Sequence, residues 1–423
     1  MNTIEELIQK ECPEGVEYLP LGEVLLSLNT GLNPRKFFRL NTPDADFYYV
    51  TIREIKGGYI HVDEKTDRIN KNALKLCNNR SNLEIGDVLF SGTGTIGETV
   101  VIENEPSNWN IKEGVYSLKP RKEIIVSKYL VYILRSSNIA LKIKDKIAGG
   151  TVKSIPMKEL AKIEIPVPPL SVQHKIVEIL DKFTSLEAEL QAELEARKKQ
   201  YEYYRNQLLD FTGREDVEWK TLGECIISLK TGLNPRQNFK LDQEDSILPY
   251  VTGKDIVNNG IYTSEKTNKI SIEAEKIINK RACLEVGNLL FASTGTGTVG
   301  RMAIIQQYNH DWNISETLYN IKPNTEITNS EFLMYMLYST NAVKQFSPKI
   351  SKGSVPHLKV RDLLDVVIPI PSLTEQQRIV TILDKFEALI NDQTASLAAE
   401  IKARHQQYEY YRDRLLTFSR KEN

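Results

Sequence analysis

Two halves of this chain carry the same landmarks in the same order. Residues 21–40 read LGEVLLSLNTGLNPRKFFRL and residues 222–241 read LGECIISLKTGLNPRQNFKL, with Gly31 and Gly232 lying 201 positions apart. The match continues through Tyr49-Val50-Thr51 and Tyr250-Val251-Thr252, then LEIGDVLF from Leu83 and LEVGNLLF from Leu284, then Trp109-Asn110-Ile111 and Trp312-Asn313-Ile314. Ile165-Pro166-Val167-Pro168 answers Ile368-Pro369-Ile370-Pro371, and Ile179 to Phe183 answers Ile382 to Phe386. Last come Tyr201-Glu202-Tyr203-Tyr204-Arg205 and Tyr408-Glu409-Tyr410-Tyr411-Arg412, now 207 apart. A fold for this chain must therefore be a tandem duplication, with its seam near residues 211–218.

Each half opens on about 150 residues of β-branched runs broken by Gly, Asn and Pro, which reads as mostly strands with some helix. Ser127 and Ser330 suit the N-caps of the short helical stretches SKYLVYILRSS and SEFLMYMLYST. A proline-marked stop follows (Pro166, Pro168, Pro169; Pro369, Pro371), and then a long helix. Ser171 and Thr374 suit its N-cap, and Thr374 with Gln377 makes a capping box. Apolar positions then recur in steps of three or four, or their sums. In the first helix they are Ile176, Leu180, Phe183, Leu190, Leu194, Tyr201, Tyr204, Leu208 and Phe211; in the second, Ile379, Leu383, Phe386, Ile390, Leu397, Ile401, Tyr408, Tyr411, Leu415 and Phe418. Each narrow stripe runs for about 40 residues, roughly 60 Å of helix. Four residues inserted ahead of the second set of tyrosines are close to one turn, so the stripe stays on one face. Neither stripe can be buried within its own helix. Since a globular region lies between the two helices in the chain, an antiparallel pair is the economical solution. The expected interface is Ile176, Leu180, Phe183, Leu194, Tyr201, Tyr204 and Leu208 against Ile379, Leu383, Phe386, Ile401, Tyr408, Tyr411 and Leu415. The expected class is α+β: two tandem β-rich domains (1–165 and 213–368) joined by a coiled coil of two long antiparallel helices (166–212 and 369–423), with a pseudo-twofold internal repeat.

Composition narrows the function. The chain has 423 residues, 41% of them hydrophobic, enough for two or three domains with real cores. Residues 1–11 are polar and acidic, without the basic start and apolar stretch of a signal peptide. No apolar run approaches the roughly 18 residues a membrane span needs. Cys12, Cys77, Cys225 and Cys283 are scattered without a CxxC pair, which reads as reduced thiols in a cytoplasmic protein. His61, His174, His310, His357 and His405 form no metal-ligand spacing, so neither metal nor cofactor is expected. Net charge is −1, so any nucleic-acid reading must rest on local charge and on motifs.

Three motifs could carry such a reading. Gly92-Thr93-Gly94-Thr95-Ile96-Gly97 and Gly295-Thr296-Gly297-Thr298-Val299-Gly300 both satisfy GxGxxG after a strand-like run. A dinucleotide site needs a helix next, but Thr99 to Ile102 and Met302 to Ile305 read as strands. A tight turn between strands is the plain reading. The other is a loop in which Thr93, Thr95, Thr296, Thr298 and the adjoining Arg301 touch phosphates. Thr30-Gly31-Leu32-Asn33-Pro34-Arg35, repeated as Thr231 to Arg236, is the most distinctive string. Gly and Asn-Pro are turn punctuation. A turn does not require the arginine, nor the same six residues twice. Arg binds guanine bidentately in the major groove and Asn does so with adenine, so Arg35, Arg236, Asn33 and Asn234 are candidate base readers, with Thr30, Lys36 and Thr231 beside them. The loops Gly149-Gly150-Thr151-Val152-Lys153 and Lys352-Gly353-Ser354-Val355 put small residues beside Lys153 and Lys352, which suits a phosphate contact or a plain solvated loop. The Tyr-Glu-Tyr-Tyr-Arg strings invite base stacking, but Tyr201, Tyr204, Tyr408 and Tyr411 continue the apolar stripes and read as helix-pair core. No Asn-Pro-Pro-Tyr methyltransferase motif, GxxxxGK[ST] loop or metal-binding carboxylate cluster stands out.

The layout resembles the specificity subunits of type I restriction–modification systems over nearly the whole chain. The resemblance is carried by IPVPPLSVQHKIVEILDKF and IPIPSLTEQQRIVTILDKF, by the two YEYYR helix ends, and by GDVLFSGTGTIG and GNLLFASTGTGTVG. It implies a non-catalytic subunit in which each β-rich region is a target-recognition domain reading one half of a split site in double-stranded DNA. It also implies helices that act as ruler and docking surface for two methyltransferase (M) subunits. Endonuclease (R) subunits would join for cleavage, and S-adenosylmethionine and ATP would belong to those partners. In that family the two recognition domains commonly differ, whereas here they are visibly alike. Taken without the resemblance, the residues support a pseudo-twofold, two-headed rigid spacer, for which the alternative reading is a structural adaptor whose heads bind protein or glycan.

Overall fold

The structure, a computed structural model, describes residues 2–149 and 153–422. It divides into two compact units, Met1–Ala192 with Leu397–Asn423, and Glu193–Ser396. Each unit holds one β-rich head, the opening half of that head's own long helix and the closing half of the other helix.

The first head is built around a four-stranded antiparallel sheet in the order Leu25–Thr30, Val115–Pro120, Val88–Ser91, Thr99–Val101. Val88–Ser91 is buried along its whole length, because both faces of the sheet are covered and alternate side chains enter different cores. Val88 and Phe90 join Tyr129, Leu130 and Ile133 of the short helix Ser127–Arg135. Leu89 joins Val50, Ile55, Val100 and Ile111 on the other side. A three-stranded sheet, Arg68–Ile69, Phe47–Val50 and Trp109–Ile111, lies beyond, its last pair parallel. The second head repeats this with Ile226–Thr231, Leu318–Pro323, Leu289–Ala292 and Met302–Ile304, and again Leu289 and Phe291 face one core while Leu290 and Ala292 face another.

The long helices span Leu170–Leu208, 39 residues, and Leu373–Leu415, 43 residues. Both begin before the expected caps. Val172 and Gln173 donate to the Pro169 carbonyl, and in the second helix Glu375 donates to the Ser372 hydroxyl. Ser171 and Thr374 therefore lie inside the first turn and the Thr374–Gln377 box does not form. Pro169 stands at the cap position of the first helix, and Ser372, two residues before Thr374, caps the second. Ser127 and Ser330 are likewise first residues rather than caps. Asn329 caps the second short helix through Phe332 N–H, and the Ser127 and Ser330 hydroxyls bond the Gly86 and Gly287 carbonyls instead.

The upper parts of the apolar stripes enter the heads. Ile176 and Leu180 are fully buried in the first head's core, and Ile379 and Leu383 in the second's. Full burial of one such side chain is worth about 1.5–3 kcal/mol, so this docking holds each head to its helix. Further along, the helices meet each other. Phe183 packs on Tyr411 with ring centroids 5.4 Å apart, and Glu187 pairs with His405 Nδ1 at 3.1 Å, a rising number against a falling one, as antiparallel pairing requires. In the other unit Tyr204 stacks on Phe386 at 6.0 Å. Leu194, Tyr408 and Leu415 are buried, and Tyr201, Leu208, Ile401 and Tyr411 are half-buried. Tyr204, Tyr203 and Tyr410 stay exposed, Tyr204 the least. The closing half of each helix also grips the other copy's head. Asp413 accepts from the N–H and hydroxyl of Ser137 at 3.0 and 2.6 Å, and Asn206 accepts from Thr340 N–H at 2.9 Å.

Two tyrosines and two glutamines fix the pose. Tyr132 donates to Asp181 at 2.6 Å, and Tyr335 sits 2.7 Å from Asp384 and 2.8 Å from Glu387. Both phenols are raised well above their usual range, first by burial and then by these carboxylates, so they remain donors. Gln173 is fully buried; its amide donates to the Ile124 and Pro168 carbonyls at 2.9 and 2.8 Å and accepts from Val126 N–H at 2.9 Å. Gln376 repeats all three bonds with Ile327, Pro371 and Asn329.

Candidate nucleic-acid interface

Strand register brings the motifs together. Thr30 faces Tyr116, Ser91 faces Val115 and Thr99 faces Phe90, so the ends of all four central strands meet at one edge of the first head. Both candidate loops leave from that edge. The link between them is Glu113-Gly114: Glu113 N–H donates to the Leu32 carbonyl and Gly92 N–H to the Gly114 carbonyl.

The TGLNPR turn is pinned at nearly every residue. Thr30 is buried, its hydroxyl bonding Val115 O at 3.1 Å and Gly114 N–H at 3.2 Å. A Cβ on Gly31 would stand 1.9 Å from the Ile111 carbonyl oxygen, and one on Gly232 2.1 Å from that of Ile314. Only glycine lets the neighbouring chain come so close. Asn33 caps the turn Pro34–Phe37 by accepting from Arg35 N–H at 3.0 Å, and its amide donates to Glu113 Oε2 at 2.6 Å. Asn234 caps Pro235–Asn238 in the same way, accepting from Arg236 N–H at 2.9 Å. Asn33 and Asn234 thus have structural employment that their sequence did not reveal. Tyr49 bonds the Leu32 carbonyl and Tyr250 the Leu233 carbonyl. Burial first raises both phenols; Cys77 and then Glu113 add to it at Tyr49, and the bond to Glu316 adds to it at Tyr250. Phe38 meets Tyr49 edge-on at 5.6 Å, and Phe239 meets Tyr250 at 5.7 Å.

What this anchoring presents outward is Arg35, Lys36 and Phe37 in one head and Arg236, Gln237 and Asn238 in the other, all exposed. Among the described residues, the side chains of Arg35, Lys36, Arg236 and Gln237 make no hydrogen bond or ion pair. Thr231 is half-buried and accepts from Arg281 at 3.3 Å.

The GxGxxG segments are turns between strands, followed by Thr99–Val101 and Met302–Ile304. A Cβ on Gly92 would lie 2.3 Å from the Tyr116 ring, and Gly94 takes a φ of 70°. Gly94 N–H donates to the Lys153 carbonyl, and Gly295 N–H to that of Pro356. Lys153 and Lys352 are exposed beside these turns. Gly150, Thr151 and Val152 lie outside the described residues. Thr95 and Thr296 are exposed and Thr93 half-buried, whereas Thr298 is buried, bonding the Thr294 carbonyl at 3.2 Å. Arg301 is exposed and reaches the Ile256 carbonyl at 3.3 Å.

Sequence reading missed a third element of this edge. Thr51 and Glu54 form a capping box that turns Arg53 outward, and Thr252 with Asp255 does the same for Lys254. Arg53 and Lys56 line an open cleft with Gly94, Thr95 and Glu98. The signal was available: the Tyr-Val-Thr repeat is followed two residues later by a basic residue in both copies. Exposed Lys112 adds to the first head, where Ser315 stands in the second. Each head therefore gathers basic side chains at one edge although the whole chain carries a net charge of −1. Among the described residues no group of His, Cys, Asp or Glu could hold a metal ion, and no helix is long and apolar enough to cross a membrane.

Comparison with known proteins agrees with this geometry. The type I restriction modification DNA specificity domain matches twice, over residues 13–196 and 214–403. The specificity subunit of the Escherichia coli type I restriction enzyme EcoR124I/EcoR124II is 34% identical over 308 residues, covering 70% of this chain and 72% of that one. The EcoprrI specificity subunit of Escherichia coli is 29% identical over 402 residues, covering 90% and 89%. A solved chain from a type I restriction–modification system shares the fold, with a TM-score of 0.59 at 18% identity, over 95% of this chain and 97% of that one. Two family domains in tandem, each with its head and its share of the helix pair, make this chain a member of the type I restriction–modification specificity subunit family.

Proposed function

We propose that this chain is the sequence-reading, non-catalytic subunit of a type I restriction–modification complex. Each head reads one half of a split duplex target through its loop edge, and the helix pair sets the distance between the halves. Two methyltransferase subunits dock on the helices and endonuclease subunits join them; S-adenosylmethionine and ATP are bound by those partners. The observation that carries the reading is the paired presentation of Arg35 and Arg236 on turns with the same glycine close approach and asparagine cap, at matching sheet edges. A structural turn has no use for an exposed arginine, whereas its fork matches the O6/N7 edge of guanine. Lys153, Lys352, Arg53 and Lys254 supply phosphate contacts that hold register without reading sequence.

The test uses the full chain assembled with its methyltransferase subunits and a library of randomised targets. Arg35→Ala is expected to relax one base position in one half-site, costing about 1–3 kcal/mol of discrimination there. The other half-site should stay intact, and Arg236→Ala should do the reverse. Equal weakening on all sequences would reassign the residue to a phosphate. A further expectation concerns the wild-type target. Because the two turns present a common arginine, the half-sites should share at least one base when each is read toward the spacer. Half-sites with nothing in common would make the shared string purely structural.

A further inference from the structure

The two reading turns share their glycine close approach, their asparagine cap and their tyrosine–phenylalanine brace, and differ where they face outward. Thr, Gly, Leu, Asn, Pro and, five residues after the Asn, Phe38 or Phe239 recur in both heads, and shared bracing contacts account for the Gly, the Asn and the Phe. Next to the shared arginine the copies part: Lys36 in the first head, Gln237 in the second. Both side chains are exposed, at the same step of the same four-residue turn. The following pair, Phe37 and Asn238, also differs, but Asn238 is tied back to the Asn234 carbonyl at 2.8 Å. Lys36 and Gln237 thus stand on a common frame, reach similar distances and offer different hydrogen-bonding groups.

That difference has a specific chemical reading. Guanine and adenine present N7 as an acceptor at the same place in the major groove; guanine adds the O6 acceptor where adenine has the N6 donor. The Lys36 ammonium offers donors only and matches two acceptors. The Gln237 amide offers a donor NH2 beside an acceptor oxygen and matches adenine. Resting on the reading of the heads as DNA readers, we propose that Lys36 and Gln237 are the specificity-determining pair at which the two half-sites diverge. Each half-site holds a purine at the position beside the arginine-read base, guanine under Lys36 and adenine under Gln237.

Reciprocal exchange tests this in the full chain assembled with its methyltransferase subunits, with methylated sites mapped on a library randomised in both half-sites. Lys36→Gln should switch one position of the first half-site from guanine to adenine by roughly tenfold or more, the scale of one good base contact. Gln237→Lys should make the opposite switch in the second half-site. All other positions and the spacer should be unchanged. Lys36→Ala should lose the preference at that position without gaining another. A uniform fall on all targets, or a change at a position that is not a purine, would overturn the assignment while leaving DNA reading by the heads intact. A wild-type complex without sequence preference would overturn both.

Discussion

Gln173→Ala is expected to destabilise the first head's attachment to its long helix by about 3–5 kcal/mol. The substitution leaves one N–H (Val126) and two carbonyls (Ile124 and Pro168) without partners in a site the side chain fills completely. Each unsatisfied buried group costs about 1–3 kcal/mol, and the emptied volume adds to this unless water enters. At about 2–4 °C per kcal/mol for units of this size, the associated unfolding transition should fall by roughly 10 °C. Hydrogen exchange localises the effect: the Val126 amide and the helix Ser127–Arg135 should lose protection first. Gln376→Ala should act equally on the second unit through Asn329, Ile327 and Pro371. Lys175→Ala, two residues on and half-buried with only a surface pair to Glu178, is the control and should stay within about 0.5 kcal/mol. A change below about 1 kcal/mol at Gln173 would mean that water replaces the amide and that apolar docking alone sets the pose.

These glutamines show where sequence reading stops. The repeat, the two heads and the antiparallel helices were legible because duplication and apolar period are properties of the sequence itself. Ile176, Leu180, Ile379 and Leu383 were legible as buried, but not as belonging to the heads, because periodicity gives a face and not its partner. Gln173 and Gln376 look like ordinary polar residues near a helix start; only tertiary placement shows that three backbone groups converge on each. The same holds for Asn33 and Asn234, whose side chains suited adenine on paper and serve as caps in the structure. Ser171 and Thr374 had the right chemistry for a cap two residues too late. Arg35 and Arg236 are the opposite case. The sequence singled them out because a turn had no need of them, and the structure leaves them exposed and unpaired among the described residues.

Duplicating Gln191 to Leu194 is expected to change the target itself, by lengthening its unread spacer by one or two base pairs while both half-sites stay the same. Residues 187–194 read EAELQAEL, two near-copies of a four-residue unit, within the uninterrupted helix Leu170–Leu208. Four more helical residues add about 6 Å between its ends and turn one end against the other by about 40°. One base pair of B-DNA is about 3.4 Å along the axis and roughly 35° of twist. Translation therefore favours two added base pairs and rotation favours one. The register of the stripe survives the change, because four residues are close to one turn. The second helix already carries four residues more, 43 against 39, so a lengthened first helix still finds an apolar face to lie on. Head docking is untouched, since Ile176, Leu180 and Gln173 lie three turns or more before the insertion. Mapping of methylated sites in the assembled complex reads the outcome directly. An active insertion variant that keeps the original spacer would show that the helix pair does not set the distance between the half-sites.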